Sequence, residues 1–575
     1  MDNISGKELK AMSMEELENL CGRLRTQIIG SVMENGGHLS SNLGVVELTV
    51  ALHYVFDFPK DKIIFDVGHQ CYAHKILSVR ADKFSSLRRR GGLSGFPKRS
   101  ESEFDCYNTG HAGTSISAAL GIAKARDLSG ENFNVIALIG DGSFNNGLVY
   151  EAFNSLKQLR TNILIILNDN GMSISPTVGS MHEYLEALKN DVEERYHKNR
   201  RAGIFERFGL EYDGVYNGND VAAMISELKK VKEKLKDGSV ILHVMTKKGK
   251  GYPLCEDDPE ATHGIADSCS IGTTEYSEVL GEKLTELAAS NDKIVAVTAA
   301  MTGSLGLSQF FEKYPDRSID VGICEEHAAV LCAAMATQGY KPYYAVYSTF
   351  LQRSFDGIVL DICSQNLPVT ICIDRAGVSG ADGETHQGVF DLSFLTFIPN
   401  LTIAVPKDIS EFAAMLEFSA TYQGPLAIRY PRACSHDFGG NNDIEIGKWE
   451  VLQKGDCSVA ILACGERALT RALKSSGCIQ ESCGKTPAVI NARFVKPLDY
   501  RMLEGLKESN IVTIEDNMLI GGFGSMIASY YSDSKRTVKI FAYKDKFIEH
   551  GNIDELMDSY GLDVNEIVAY IKTLI

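Results

Sequence analysis

The stretch VIALIGDGSFNNG at residues 135–147 ends an apolar run in Gly140, Asp141 and Gly142, and NILIILNDNGMS at 162–173 ends another in Asn168, Asp169 and Asn170. Short apolar runs bounded by turn formers have the pattern of strands buried on both faces. Between them GLVYEAFNSLKQLRT, residues 147–161, places Leu148, Phe153, Leu156 and Leu159 mostly on one helical face. The spacing predicts a β-α-β unit whose two polar motifs lie just past the carboxyl ends of neighbouring strands, where open parallel sheets hold ligands. There Asp141 and the amide oxygen of Asn170 can converge on one hard cation. Magnesium takes oxygen ligands and usually bridges protein oxygens to phosphate. Gly140 and Gly142 are expected to let backbone approach such phosphates closely. A Walker loop would need GxxxxGK[ST], and this turn has no such lysine. Two ordinary turns account for GDG alone but not for its pairing with NDN.

At 575 residues the chain exceeds a single core and suggests three or more domains of ~100–200 residues each. Its composition, 44% hydrophobic and 23% charged, is that of an ordinary globular protein. A formal charge of -17 argues against a nucleic-acid partner, so positive charge that serves an anionic ligand must be local. The opening MDNISGKELK shows no apolar signal region, and no apolar run approaches the ~18 residues of a membrane span. A cytoplasmic protein without a membrane partner is the expectation. Fourteen cysteines without a CxxC pair suit reduced thiols, most of them filling cores.

Strand-like runs alternate with helix-length segments in three blocks. The first holds KIIFDVG, NVIALIG and NILIILN and fades in a polar stretch from Cys255. The second holds KIVAVTAA, SIDVGI, KPYYAVYSTF and LPVTICIDRAG, and closes in a Gly/Asn/Asp-rich passage at 431–447. The third repeats the rhythm with CSVAILACG, TPAVINARF, NIVTIEDN and TVKIFAYKD. The prediction is α/β, three domains with mainly parallel sheets, at residues 1–270, 271–435 and 436–575.

The GDG and NDN pair resembles the thiamine-diphosphate motif of transketolase-type enzymes. GVVELTVALHYVFDFPKDKIIFDVGHQCYAHKIL, GHAGTSISAALGIA, MTKKGKGY, YSTFLQRSFD, DRAGVSGADGETHQGVFDLSFL and RYPR follow in the order found in the 1-deoxy-D-xylulose-5-phosphate synthase family. This resemblance runs from near residue 25 to the C-terminus. It implies a transketolase-like thiamine-diphosphate-binding fold and a homodimer. It also implies condensation of pyruvate with D-glyceraldehyde 3-phosphate to 1-deoxy-D-xylulose 5-phosphate and CO2, the first step of non-mevalonate isoprenoid precursor synthesis. Carried onto this sequence, it implies Mg2+ held by Asp141, Asn170 and the carbonyl of Met172. His69, Gly110, His111, Ala112, Gly142, Ser143 and Tyr252 would contact the cofactor, and Glu325 of ICEEHAAV matches the catalytic glutamate. Tyr347, Arg353, Arg375, Asp382 and His386 match substrate-site positions, Arg432 matches a phosphate-binding arginine, and His38 and His263 match histidines of the pyruvate pocket. Because histidine titrates near neutrality, His38, His69, His263 and His386 are the candidates for proton transfer.

The local sequence is compatible with these implied roles. SIDVGI at 318–323 reads as an apolar strand before the helical run HAAVLCAAMA, which puts Glu325 at a strand end beside a helix N-terminus, able to hydrogen-bond an aminopyrimidine ring. Arginine's planar fork suits phosphate, which makes Arg375 and Arg432 the local basic groups an acidic protein needs. Arg429 reads as a structural ion-pair partner, and Arg88 to Arg90 of LRRRGG as a solvated cluster.

The sequence also departs from the family. Asn145 and Asn146 stand where a small or hydroxyl pair is more frequent, Ala112 and Gly113 where two serines are usual, and Glu326 where glutamine is usual. The region after Ser175 is shorter than in commoner members. These departures keep three rivals open: a paralogue with another aldehyde acceptor, a transketolase drawing on a ketose-phosphate donor, and a non-catalytic scaffold. Retention of Asp141, Asn170 and Glu325 weighs against the scaffold.

Overall fold

The structure, a computed structural model, describes residues 2–173, 177–190, 203–260, 262–265, 274–433, 436–533 and 537–575. Ser175, the boundary expected at 270–271 and residue 435 lie outside the described residues. The chain forms two compact units, Met1–Asp267 with Gly322–Cys324, and Ser268–Val321 with Glu325–Ile575.

The first unit carries β1 (Lys62–Phe65), β2 (Val135–Gly140), β3 (Leu164–Asp169), β4 (Glu211–Asn217) and β5 (Val240–Met245) in the order β1-β2-β3-β5-β4. All of its pairings are parallel. Alternate side chains of a strand point to opposite faces. Ile136 and Leu138 enter one core with Leu20, Leu24 and Ile28, while Ala137 and Ile139 enter another with Ile116, Leu120 and Phe153. A sheet covered on both sides needs such unbroken apolar runs. Gly140 lies opposite Asn168, so the chain leaves β2 and β3 at the same level. The connecting helix, Gly147–Leu159, buries Val149, Ala152, Phe153 and Leu156. Leu148 and Leu159 flank that stripe half-buried, which corrects the expected face by one position.

The second unit holds β6 (Ile294–Thr298), β7 (Ser318–Asp320), β8 (Lys341–Tyr347), β9 (Thr370–Asp374), β10 (Thr402–Ala404), β11 (Leu426–Arg429), β12 (Glu450–Gln453), β13 (Val459–Cys464), β14 (Ala488–Asn491), β15 (Phe494–Lys496), β16 (Asn510–Met518) and β17 (Val538–Tyr543). They build a sheet β15-β10-β11-β9-β8-β6-β7 and a sheet β12-β14-β13-β16-β17. Among the described strand ladders, only β15 on β10 and β12 on β14 run antiparallel. β7 is shorter than SIDVGI suggested. Asp320 turns its carboxylate onto Ala300 N (2.8 Å) and Thr302 Oγ1 (2.9 Å), which ends the ladder at the sheet edge. The described cysteines are free and most are buried, Cys478 and Cys483 being exposed. No helix among the described residues is long and apolar enough to cross a membrane.

Candidate active site

Asp141 is buried where β2 ends. Its carboxylate accepts from Asn170 N (3.3 Å) and Thr177 Oγ1 (2.7 Å), and Asn170 Oδ1 accepts from Met172 N (3.1 Å). Carboxylate, amide and the Met172 backbone therefore share one corner. Burial, then repulsion from Asp169, pushes Asp141 from 3.8 to about 7. The neighbouring Asp169 fares differently: although burial pushes it upward, His243 (2.9 Å) and Lys189 (2.7 Å) hold it below the usual carboxylate range. Asp169 is thus a structural anion and Asp141 a buried carboxyl that a divalent cation would satisfy. No group of three His, Cys, Asp or Glu side chains suited to a metal occurs among the described residues.

The two glycines of GDG differ in their surroundings within the protein. A Cβ added at Gly142 would sit 2.8 Å from Ser173 Cβ, so this glycine is needed for the NDN loop to pack against it. At Gly140 an added Cβ meets nothing nearer than Asn168 O at 4.0 Å, so steric need does not explain it. Lys248 of MTKKGKGY was not singled out from the sequence. It is buried, donates from Nζ to Ser173 O (2.7 Å) and is lowered to about 8 by burial, with Asp141 pulling the other way. Tyr252 of the same motif packs half-buried against the core of this unit.

Three predicted histidines meet. Ring centroids of His38, His69 and His263 lie 5.4 to 5.5 Å apart in every pairing. Reciprocal backbone bonds between Gly37 and Ile265 (2.7 and 2.8 Å) bring their distant segments together. Asn42 of GGHLSSNLG organises two of them, donating to His38 O (2.6 Å) and His69 O (2.7 Å) and accepting from Tyr72 N (2.8 Å). Burial, then the nearby Lys248 and the other histidines, holds His263 well below the usual histidine range, so it is neutral. The LRRRGG expectation is corrected at one residue. Arg89 and Arg90 are exposed, but Arg88 is buried with its stem against the open faces of Gly37 and Gly95.

The Gly110, His111, Ala112 turn is held at the end of β1 by Asp66, which accepts from Gly113 N (2.8 Å) and Ser115 N (3.0 Å). Gly113 has φ +82, and a Cβ there would lie 2.4 Å from Asn146 Oδ1. Asn146 is fully enclosed, accepts from Leu148 N (3.1 Å) to cap its helix, and donates to Ile323 O (3.0 Å). Two departures from the family are therefore one: the glycine makes the space the asparagine fills. Ser143 is buried between them in sequence, directly after Gly142.

In the second unit Glu325 is the first residue of the helix Glu325–Thr337. Its carbonyl accepts from Ser354 Oγ (2.8 Å) and Tyr344 OH (3.3 Å). Burial raises its carboxyl from 4.5 to about 7, against the pull of Arg353, and its Oε2 is buried without a hydrogen-bond partner. The adjoining Glu326 is exposed. Arg375 follows β9 in the left-handed region at φ 55, a strain of ~1–3 kcal/mol that functional sites tend to hold. Its guanidinium lies 3.8 Å from the Tyr347 ring centre. Burial raises Asp374 to about 6 while Arg375 and, more weakly, Arg432 pull it down, so both arginines act on one electrostatic site. Arg432 itself is exposed. Asp382 and His386 bracket the turn Gly383–Thr385, with Phe350 5.7 Å from the His386 ring. Arg429 is buried against Asp391 (2.9 Å), the structural role expected of it.

Comparison with known proteins shows the family of the chain. The family model described as 1-deoxy-D-xylulose-5-phosphate synthase matches residues 1–203 and 189–246, the transketolase pyrimidine binding domain matches 273–435, and the transketolase C-terminal domain matches 447–567. The 1-deoxy-D-xylulose-5-phosphate synthase of Clostridium tetani is 44% identical over 99% of this chain and 98% of its own. That of Caldanaerobacter subterraneus is 44% identical over 98% and 97%. The Clostridium tetani alignment spans 614 positions, more than the 575 residues here, so the relative carries insertions. A transketolase structure from Campylobacter jejuni matches at 17% identity over 98% of this chain and 100% of that chain, with TM-score 0.46. The chain belongs to the 1-deoxy-D-xylulose-5-phosphate synthase family.

Proposed function

We propose that this protein condenses pyruvate with D-glyceraldehyde 3-phosphate, using thiamine diphosphate and Mg2+, to give 1-deoxy-D-xylulose 5-phosphate and CO2. The observation that carries this reading, in a chain of this family, is Glu325: a buried carboxyl whose Oε2 has no partner, at the first turn of a helix. Such an atom fits a bound ring nitrogen. Asp141, the Asn170 amide oxygen and the Met172 carbonyl would hold Mg2+. His69, Gly110, His111, Ala112, Gly142, Ser143 and Tyr252 would hold the rest of the cofactor, with Lys248 as the local cation. When bound, thiamine diphosphate supplies the carbanion chemistry that decarboxylation and carbon–carbon bond formation require.

The chain's own groups bind, orient and move protons. Glu325, its carboxyl raised to about 7 by burial, would share a proton near neutral pH with the ring nitrogen of a bound thiamine diphosphate. His263, neutral as it stands, accepts a proton before it can donate one, and Asn42 orients His38 and His69 beside it. Arg375, steadied on the Tyr347 face, and Arg432 would neutralise the acceptor phosphate. Arg353, Asp382 and His386 complete the substrate site. A homodimeric, cytoplasmic enzyme with domains at 1–270, 271–435 and 436–575 goes with this reading. Purified protein with Mg2+, thiamine diphosphate and pyruvate, offered phosphorylated and free aldehydes, should release one CO2 per 1-deoxy-D-xylulose 5-phosphate formed. Product from a ketose phosphate without CO2, or preference for a free aldehyde, would overturn it.

A further inference from the structure

Both arginines assigned to the acceptor phosphate sit on backbone that the third sheet grips. After Arg375 the chain runs into a loop pinched at its base by reciprocal Gly377 and Gly388 backbone bonds (both 2.7 Å). Asp516 on β16 accepts from Val378 N (3.0 Å) and from Tyr543 OH (2.6 Å). Its carboxylate lies flat on Gly377, where an added Cβ would stand only 1.9 Å from Oδ2. The other end of the loop is tied by Gln387, which donates to Glu549 O (3.1 Å).

Arg467, second residue of the helix Glu466–Cys483, joins these parts. One guanidinium nitrogen meets Asp516 Oδ2 (3.2 Å) and donates to Val378 O, while the other donates to Arg432 O (2.9 Å). A single planar fork thus links the backbone three residues after Arg375 to the backbone of Arg432 itself. Lysine could not reproduce this, because its one ammonium does not span two carbonyls at fixed spacing. Arg467 and Asp516 are largely buried, 13% and 6% exposed at the side chain, so water does not compete freely for the bond between them, whereas the bond to Arg432 O lies at the surface.

We propose that Arg467, braced by Asp516, is a positioning residue for the acceptor phosphate: it sets the spacing between Arg375 and Arg432. The proposal rests on the reading of those two arginines as the phosphate site. Phosphate recognition by two guanidinium groups depends on their separation, and ~1 Å of misplacement can cost up to about 100-fold in rate. The third sheet then has a part in substrate choice without touching substrate.

The test compares Arg467→Ala, Arg467→Lys, Asp516→Asn and Arg432→Ala with wild type, using D-glyceraldehyde 3-phosphate and D-glyceraldehyde as acceptors and following pyruvate-dependent CO2 release. For Arg467→Ala and Arg467→Lys, kcat/KM for the phosphorylated acceptor should fall about 10-fold or more, mostly through KM. Efficiency with free glyceraldehyde and the KM for pyruvate should be unchanged. Arg467→Lys, which keeps the charge beside Asp516, should retain the thermal stability of wild type yet show the KM defect. If Arg467→Ala does not fold, Arg467→Lys and Asp516→Asn carry the measurement. Equal losses for both acceptors would overturn the proposal, since that is what a merely structural arginine gives. A phosphate-selective loss in Arg432→Ala with none in the Arg467 variants would also overturn it while leaving the phosphate site intact. Absence of selectivity in Arg432→Ala would instead remove the phosphate reading, and this proposal with it.

Discussion

Gly113→Ser restores a serine that is usual in the family, yet here it should destabilise the protein. A Cβ at Gly113 would stand 2.4 Å from Asn146 Oδ1 and 2.7 Å from its Cγ, so the whole asparagine side chain must move. Asn146 cannot swing aside without losing its bonds to Leu148 N (3.1 Å) and Ile323 O (3.0 Å). Overfilling a packed site costs ~1–3 kcal/mol, and a residue with a side chain in the left-handed region adds about 1–2 kcal/mol. The expected loss is therefore on the order of 2–5 kcal/mol. Asn146→Gly removes every atom the new Cβ would strike; glycine still tolerates the cap position at a cost of about a few tenths of a kcal/mol, and the lost bond to Ile323 O costs about 1 kcal/mol. Combined, the two changes remove the collision, so the double variant should be more stable than Gly113→Ser alone, with a coupling of ~1–3 kcal/mol. Thermal unfolding of the four proteins reads this directly, since 1 kcal/mol moves Tm by roughly 2–4 °C in a unit of this size. Additive effects, within about 0.5 kcal/mol, would refute the claim that the two departures compensate each other.

Glu325→Gln should lower turnover by about 10²–10⁴-fold while Glu326→Gln leaves it nearly unchanged, because Glu325 is buried and Glu326 is exposed. The wild-type rate should also change across pH of about 7, where Glu325 exchanges its proton, and steady-state pH profiles of the Gln variant should lack that step. Asp141→Asn should abolish protection by Mg2+ yet stabilise the metal-free protein at pH 8. The folded carboxyl at about 7 lies above its ordinary 3.8, so its contribution is lost as pH rises through that window. The ceiling is ~4 kcal/mol at about 1.4 kcal/mol per pKa unit. Unfolding temperatures from pH 4 to 8, with Mg2+ and with chelator, check both halves, and equal Mg2+ protection of variant and wild type would remove Asp141 from the metal site.

The β-α-β unit around Asp141 and Asn170 was legible in the sequence because its signals are local. Five-residue apolar runs, turn residues and helical spacing act over one or two turns of chain, and they survive whatever surrounds them. The ordered motifs of the family were legible for the same reason. What only the tertiary structure decided depends on which distant groups share a space. The resemblance singles out Glu325 within ICEEHAAV, but its physical difference from Glu326 comes from burial, because desolvation acts on the residue the fold encloses. Three consecutive arginines read as solvated, yet Arg88 is enclosed where Gly37 and Gly95 leave room. The pairing of Gly113 with Asn146, and the fork of Arg467 across Val378, Arg432 and Asp516, join segments far apart in sequence. Close packing and buried hydrogen bonds are properties of the filled volume, and a linear pattern carries no record of who fills it.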